Sequence, residues 1–388
     1  MTFRHCIITA AALAFASCAE LVGAQEATDL PLTIDLIHKA DVVAVAAGEG
    51  ARGVRYLDNT DVIATLDLER AVRWHGATTY LGILSNTGAR ANDIAGTLQG
   101  VDNIEVASPD LVLYQAWVQQ RFWNDRASVL VGKYDLNSEF YYNAAAFPLI
   151  APAFGIGSEL ASTGPNGPSI FPQTDLAVRV RTDGRRHYAQ AAIVRAPRGV
   201  ADDGGRRSAM MIAEIGLKGR TAISVGGWTY SHRQPRITPP GITTTTDTAA
   251  SHGLYVLIER ELVGRGDAPD HWTGFLRAGL SDGLTTPFAD GVQFGVTGIG
   301  FVRGRPQSSL SIGFATAGIS SAYRQANPPA APRLARSEST IELTYSDRVA
   351  SFLTLQPDLQ YVHRPSGRAR APGVVVIGLR GIVNWKIR

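Results

Sequence analysis

The chain has 388 residues, of which 45% are hydrophobic and 18% charged, and its formal net charge is +3 at pH 7. Past residue 24 no run of about 18 apolar residues occurs, which excludes a helical membrane protein, and the nearly balanced charge gives no sign of a nucleic-acid partner. Both cysteines, Cys6 and Cys18, precede that point, so the remainder offers no disulfide and no cysteine metal ligand.

The N-terminus has the layout of a secretory signal peptide. Arg4 precedes the apolar run Ile7 to Ala16, and a stretch of small residues follows it and ends at Ala24. We predict that residues 1–24 are cleaved. Residues 15–18 also resemble a lipoprotein cleavage box, which would leave Cys18 lipidated, but Phe15 at the first box position and the better site at Ala24 favour the signal peptide.

Residues 25–50 form a short N-terminal segment in which 32–47 fits either a helix or a strand. From residue 51 to 388 the chain consists of stretches of about ten residues with period-two patterning, separated by clusters of Gly, Pro, Asn and Asp. The clearest pair is 113–123 and 128–139, joined by Asn124-Asp125, which reads as a hairpin. This pattern of short alternating stretches separated by turn residues is typical of a transmembrane β-barrel.

The alternation predicts which side chains face the lumen. In the first strand of that hairpin Trp117, Gln119 and Arg121 share one face, because successive side chains of a strand point to opposite sides. The polar faces of this hairpin and of later segments give the pore-lining candidates Trp117, Gln119, Arg121, Lys133, Asp135, Asn137, Glu139, Arg179, Arg181, Glu342, Gln356, Asp358, Gln360 and Arg380. Any one of them can instead merely hydrate the wall, so the prediction concerns the set.

The predicted fold class is all-β: a transmembrane antiparallel β-barrel of about 16 strands (16–18) with a water-filled lumen. A soluble β-sandwich also alternates, but it has fewer strands and lacks aromatic residues at strand ends. Such aromatics are present here, as in interfacial girdles: Trp74, Tyr80, Phe122, Trp123, Tyr361 and Trp385. The longer irregular segments 144–172, 234–248 and 325–336 are predicted extracellular loops, one of which is expected to fold inward.

Several stretches resemble the carbohydrate-selective porin family of the OprB type. The strongest match is C-terminal: Leu355-Gln356-Pro357-Asp358-Leu359-Gln360-Tyr361-Val362, then Pro365, then Val375-Val376-Ile377-Gly378-Leu379-Arg380. Further matches are 131–137, 277–283 and the opening Asp67-Leu68-Glu69 with Trp74 and Gly76. The resemblance spans nearly the whole chain after residue 24. It departs from outer-membrane barrels at the C-terminus, where Trp385-Lys386-Ile387-Arg388 replaces a terminal aromatic residue.

The resemblance implies an outer-membrane barrel of about 16 strands that admits monosaccharides such as glucose by passive diffusion, without a cofactor. The partners expected are small sugars and outer-membrane lipid, with the barrel acting as a monomer or a homotrimer. A selective sugar pore needs paired donors and acceptors with an aromatic surface nearby, and charges of opposite sign across the lumen favour neutral solutes over ions.

Other functions remain open at this point. A general or anion-preferring porin is the first alternative, although 37 basic against 34 acidic residues argue against a dominantly basic pore. An outer-membrane enzyme or adhesin is the second. Ser251-His252 with Asp267 or Asp270 could be drawn as a hydrolase site, but no nucleophile elbow, phosphate loop or His-Glu-x-x-His motif occurs. We predict a channel and not an enzyme.

Overall fold

A computed structural model describes residues 31–50, 52–164, 167–196, 208–239, 247–264 and 270–387. Sixteen strands form one closed antiparallel barrel, and two short strands form a separate ribbon. The barrel strands are β1 Leu32–Ala47, β2 Gly53–Asp67, β3 Ala77–Gly88, β4 Asp110–Phe122, β5 Ala127–Tyr134, β6 Asp175–Asp183, β7 His187–Arg195, β8 Ala209–Leu217, β9 Thr221–Tyr230, β12 His252–Val263, β13 His271–Ser281, β14 Phe288–Ile299, β15 Ser309–Ile319, β16 Ser337–Arg348, β17 Leu353–His363 and β18 Val374–Ile387; the ribbon pairs β10 Gln234–Pro235 with β11 Thr248–Ala249. The predicted all-β barrel is confirmed.

The barrel closes through its first strand. Residues 32–47 form β1, which pairs with β18 from Ile34↔Ile387 onwards and with β2 on its other edge. The barrel therefore begins at Leu32, earlier than the predicted boundary at residue 51. The predicted signal peptide lies outside the described residues and stays a prediction.

The two ends of the barrel differ in the length of their connections. One end carries the first residues of β1, the last residues of β18 and the short turns, such as 123–126, 184–186, 218–220 and 349–352. The other end carries the long connections, including 89–109, 135–174 and 320–336. Short periplasmic turns and long extracellular loops are the rule in outer-membrane barrels, so the first end is periplasmic and the second extracellular.

Outward and inward side chains alternate along the strands, except at bulges such as the one on β4 between Leu113 and Gln115. On β6, Leu176, Val178 and Val180 are exposed on the outer face, while Ala177 and Arg179 are buried on the inner face. Exposed aromatic residues mark the periplasmic edge of this apolar surface, among them Phe122, Trp123 and Trp385. Tyr80, which the sequence assigned to such a girdle, instead lies opposite Trp117 on the inner face.

The helices are short and lie in the connections: α1 Leu68–Val72, α2 Asn92–Ala95, α3 Ser158–Ala161 and α4 Ser321–Ala326. Within the part of the chain that the structure describes, none of the helices is long and apolar enough to cross a membrane.

Candidate functional site: the lumen and its inward loops

Two extracellular loops fold into the barrel. We call residues 89–109 the first inward loop and residues 135–174 the second inward loop. The second loop carries buried apolar side chains that pack on the inner wall: Phe154 lies edge-on to Phe275 of β13, with ring centroids 6.3 Å apart, and Tyr141 lies 4.4 Å from Tyr255 of β12. The predicted loop 144–172 is thus the inward one, and the first loop was not foreseen.

Four glutamates of the wall hold the loop backbones. Glu338 on β16 accepts from the amides of Leu98 and Gln99 at 2.9 Å, and Glu342 on the same strand accepts from those of Ile150 and Ala151. On β8 and β12, Glu214 accepts from the Tyr141 amide at 3.2 Å and Glu259 from the Ala145 amide at 2.9 Å. Because hydrogen bonds to charged groups are about twice as strong as neutral ones, these carboxylates fix the loop paths.

Side chains of the barrel wall also hold the inward loops by donating hydrogen bonds to loop carbonyl oxygens. Gln356 Nε2 donates to Pro148 O at 2.6 Å, and Gln360 Nε2 donates to Val101 O at 2.8 Å. The guanidinium of Arg277 donates to the carbonyls of Ala153 at 2.8 Å and Gly155 at 3.1 Å. Backbone groups that leave a sheet need such partners when they are buried. The predicted lumen residues Glu342, Gln356 and Gln360 therefore anchor loops.

Small residues on the inner face make room for the second loop. A Cβ at Gly279 of β13 would lie 1.9 Å from Glu159 Oε1, and one at Gly313 of β15 would lie 2.6 Å from Phe154 Cε1. Glu159 is buried and accepts from the Tyr141 hydroxyl at 2.7 Å. Burial raises the pKa of Glu159 above its ordinary value, partly offset by that hydrogen bond.

Arg380 of β18 ties the first loop to the wall. Its guanidinium donates to Asp41 of β1, with Nη2 at 2.6 Å from Oδ2, and reaches Asp102 at 3.2 Å and Asn103 Oδ1 at 2.8 Å. Burial and the neighbouring Asp41 raise the pKa of Asp102, while Arg380 lowers it. Asp358, another predicted candidate, is buried on β17 and accepts from Gln360 at 2.8 Å.

A second arginine cluster lies at the base of the second loop. Arg179 of β6 is fully buried, with Nε 2.7 Å from Glu139 Oε2, and its Nη2 donates to Gln119 Oε1 at 2.6 Å. Its Nη1 donates to Ser128 Oγ at 2.5 Å. The structure thus brings together three predicted residues, Gln119, Glu139 and Arg179, in one hydrogen-bonded cluster.

Asp135 and Asn137 begin the second loop. Asp135 accepts from the Tyr114 hydroxyl at 2.7 Å and from the Asn137 amide at 3.0 Å, and Asn137 Nδ2 donates to Phe140 O at 3.1 Å. Burial raises the pKa of Asp135 to about 6, although the bonds from Tyr114 and Asn137 lower it. Both side chains shape the loop start.

The other part of the lumen wall stays accessible and pairs charges of opposite sign. Lys39 of β1 lies 3.9 Å from Asp61 of β2, with side chains 31% and 19% exposed. Arg181 Nε lies 2.6 Å from Asp183, and Lys218 Nζ lies 2.5 Å from the same carboxylate. Three cations thus lie beside two carboxylates, so groups of both signs face the opening.

An aromatic pair lies on the same accessible wall. Tyr80 of β3 and Trp117 of β4 are stacked, with centroids 5.0 Å apart and planes 3° from parallel. The indole Nε1 of Trp117 donates to Gln115 Oε1 at 3.3 Å. Both side chains are half-buried, so part of the stack is presented to the lumen.

Two predicted candidates lie away from the constriction. Lys133 pairs with Leu176 across β5 and β6, and Leu176 is exposed on the outer face, so Lys133 shares that outer face. Leu130 and Tyr134 occupy the inner face instead, because they pack under the second loop. Arg121 is at the periplasmic rim, where its Nε lies 3.6 Å from Asp125.

The structure does not bring together the residues of the hypothetical hydrolase site. Ser251 and His252 lie at the extracellular start of β12, whereas Asp270 precedes β13 at the periplasmic end. Ser251 is fully buried, and its Oγ accepts from Thr285 at 2.9 Å. Asp267 lies outside the described residues.

Comparison with known proteins identifies the family. The model of the family described as "Carbohydrate-selective porin, OprB family" matches residues 51–384. The chain belongs to this family. As a member of the OprB family it is a β-barrel porin of the bacterial outer membrane.

Similar OprB-type proteins come from pseudomonads. Porin B of Pseudomonas aeruginosa is 21% identical over 371 residues, covering 84% of this chain and 81% of that protein. The high-pH structure of Pseudomonas putida OprB has a TM-score of 0.80 at 19% identity, covering 92% of this chain and 94% of that one. Its low-pH structure has a TM-score of 0.58 at 16% identity, with coverages of 92% and 93%.

Sequence reasoning missed several lumen residues of this OprB-family chain. Lys39 and Asp41 escaped because residues 32–47 were not assigned to a strand; alternation along that segment would have placed both inward. Glu214, Glu259 and Arg277 also alternate correctly, but their role depends on loops that are distant in sequence, which no local pattern reveals.

Proposed function

We propose that this chain gives small neutral sugars, monosaccharides such as glucose among them, a passive route across the outer membrane. The observation that carries the proposal is the accessible lumen wall, where the stacked Tyr80–Trp117 pair lies among ion-paired side chains. Sugars have hydroxyls and apolar C–H faces. A wall with donors, acceptors and an aromatic surface suits both.

The mixture of positive and negative side chains on the accessible wall supports neutral solutes over ions. The cations Lys39, Arg181 and Lys218 each lie within 4.0 Å of a carboxylate on the same wall. A ring of one sign would favour an ion of the opposite sign, whereas cations and carboxylates side by side present donors and acceptors together. This favours a sugar-preferring channel over the anion-preferring alternative.

Nothing in the proposal requires energy coupling or a second barrel. The inward loops and the wall that form the constriction belong to one chain, so either a monomer or a homotrimer would give one pathway per barrel. The sugars pass as solutes and are not converted.

Liposome swelling with purified, refolded protein tests the proposal. We expect faster swelling with glucose, xylose and arabinose than with uncharged amino acids of similar size. Trp117→Ala should reduce that difference, while Trp385→Ala, on the outer girdle, should not. Equal rates for equal sizes would indicate a general porin, and preference for small acids an anion-preferring one. No swelling by protein shown to be a folded barrel would favour an adhesin or enzyme.

A further inference from the structure

A cavity of about 390 Å³ is formed by the extracellular connection between β15 and β16. Arg324 and Arg333 contribute two cationic groups to its lining, and Ser321, Gln325 and Asn327 contribute one hydroxyl and two amides. The other lining residues are apolar, with two prolines among them. We call this cavity the rim pocket. None of the residues that hold the inward loops or pair charges in the lumen lines it.

Hydrogen bonds close the frame of the rim pocket. The Ser320 hydroxyl accepts from an amide of α4 at 3.1 Å, and Asn327 Nδ2 donates to Pro332 O at 2.9 Å. At the edge of the pocket, a bridge between Leu334 and Arg368 continues the pairing of β16 with β17 beyond the barrel. These contacts pre-organise the pocket, which lowers the entropic cost of binding a ligand.

The surface around the rim pocket is strongly basic. Residues 320–336 and 364–373 together hold six arginines and no Asp or Glu: Arg324, Arg333, Arg336, Arg364, Arg368 and Arg370. Within the described chain, only Arg368 among these six forms an ion pair, with Glu49 at 2.8 Å. The arginines of the lumen, such as Arg179 and Arg380, lie beside carboxylates instead. The basic surface at the rim is therefore available to an anion from outside.

The two arginines of the rim pocket keep donors for such an anion. Arg324 Nε donates to Ile319 O at 3.2 Å, which positions the guanidinium, and no acceptor on the described residues bonds its Nη atoms. Arg333 is exposed, and its backbone oxygen accepts from the Ala369 amide at 2.9 Å. Guanidinium groups bind phosphate well because their planar N–H donors match two phosphate oxygens at once.

The size and the remaining lining of the rim pocket suit a saccharide better than a bare ion. Pockets for small organic ligands have volumes of about 300–1,000 Å³, whereas an inorganic anion fills much less. The side chains of Ser321, Gln325 and Asn327 can donate to and accept from sugar hydroxyls. The rings of Pro328 and Pro329 offer apolar surface to the C–H groups of a sugar.

We propose that the rim pocket binds a phosphorylated saccharide. Arg324 and Arg333 hold its phosphate, and the neighbouring amides and hydroxyl hold its sugar hydroxyls. Two sources carry this chemistry at the outer face of the membrane: phosphorylated sugars in solution, and the phosphorylated saccharide of lipopolysaccharide. The site belongs to an extracellular connection, so the inference does not depend on which solute the lumen admits.

Calorimetric titration of refolded protein, free of lipopolysaccharide, with glucose 6-phosphate, glucose and inorganic phosphate tests the proposal. We expect glucose 6-phosphate to bind most tightly. Arg324→Gln with Arg333→Gln should weaken its binding at least tenfold. The matched control is Arg336→Gln with Arg370→Gln, which removes the same charge from the same basic surface outside the pocket lining and should weaken binding less than threefold.

Equal losses in the two double variants would overturn the proposal, because the basic surface as a whole would then attract the anion. Inorganic phosphate that binds as tightly as glucose 6-phosphate would also overturn it, because the sugar would then contribute nothing. Heat-modifiability on gels verifies that each variant is a folded barrel, so lost binding is not lost folding.

A second titration separates the two sources of the ligand. Purified lipopolysaccharide is compared with the same material after enzymatic removal of its phosphates. Binding of the phosphorylated form alone, lost in Arg324→Gln with Arg333→Gln, would identify the lipid-anchored saccharide. Binding of glucose 6-phosphate without lipopolysaccharide would identify a dissolved one. Binding of neither phosphorylated probe to the folded barrel would overturn the proposal. Swelling with glucose should be the same in the pocket variant and the unmodified protein, because the lumen is untouched.

Discussion

The inner wall of the barrel divides into two regions of different chemistry. Along β12–β17 its residues are small or serve as anchors, such as Gly279, Gly313, Glu342 and Gln356, and the inward loops cover them. On β1–β4, and at the periplasmic ends of β6–β8 beyond the second inward loop, accessible polar or aromatic side chains remain, such as Lys39 with its partner Asp61. A polar residue that faces the lumen is therefore not by itself a selectivity residue: its neighbours decide whether it holds a loop or meets a solute.

The largest effect on conductance is expected from a substitution on the inner wall where the second inward loop packs closely against it. Gly279→Leu would place side-chain atoms where Glu159 and Tyr141 lie, since even a Cβ there would be 1.9 Å from Glu159 Oε1. We expect the second inward loop to be displaced and single-channel conductance to rise severalfold. The control is Ala278→Leu, on the outer face of the same strand. Unchanged conductance in Gly279→Leu would mean that the loop adapts without opening the lumen.

Removal of one anchor should loosen the same loop without displacing it. Glu342→Ala leaves the amides of Ile150 and Ala151 without their acceptor, at a cost of about 1–3 kcal/mol for each buried unpaired group. We expect noisier and moderately larger single-channel currents. Glu342→Gln, which keeps an acceptor oxygen, should be intermediate.

The matched control for the anchor is Asp93→Ala, an exposed carboxylate of the first inward loop whose side chain is 57% exposed. It should leave the current trace as in the unmodified protein. Currents equally noisy in Asp93→Ala and Glu342→Ala would show that the anchoring bond is not the cause.

The start of the second loop should respond to pH through Asp135. Its pKa rises from 3.8 to about 6 by burial, so the folded state holds the proton more tightly than the unfolded one. The protonated Asp135 carboxyl group therefore contributes at most about 3 kcal/mol to the stability of the folded state. This contribution is complete below pH 3.8 and is lost as the pH rises through 6.

Hydrogen exchange of residues 137–140, corrected for the intrinsic exchange rate, measures this effect. We expect protection to fall between pH 4 and pH 7 in the unmodified chain, in the direction that the raised pKa of about 6 dictates. Asp135→Asn should flatten the profile because the amide does not titrate. A fall of the same size in Asp135→Asn would place the titrating group elsewhere.

Sequence periodicity predicted the barrel well but not the contents of its lumen. Alternation placed Arg179, Glu342 and Arg380 inward correctly, because apolar residues on those strands face outward. It failed on β5, where Leu130 and Tyr134 are apolar and still face inward, since the second inward loop packs on them. A loop that fills the lumen makes inner residues as apolar as outer ones, and period-two patterning then cannot tell the faces apart.

The smallest effects are expected for ion selectivity, when two lysines on opposite faces of the barrel wall are substituted. Lys39→Met should shift the reversal potential in a KCl gradient toward cation preference, because it leaves Asp61 without the cation that lies 3.9 Å away. Lys133→Met should leave the reversal potential unchanged, since Lys133 shares the outer face of Leu176. Swelling with glucose should be unaffected by Lys133→Met for the same reason. An equal shift of the reversal potential in Lys133→Met and Lys39→Met would show that Lys133 faces the lumen. The register of β5 would then have to differ from the one described. A shift in Lys39→Met alone would establish that accessibility, and not polarity, selects the residues that a permeating solute meets.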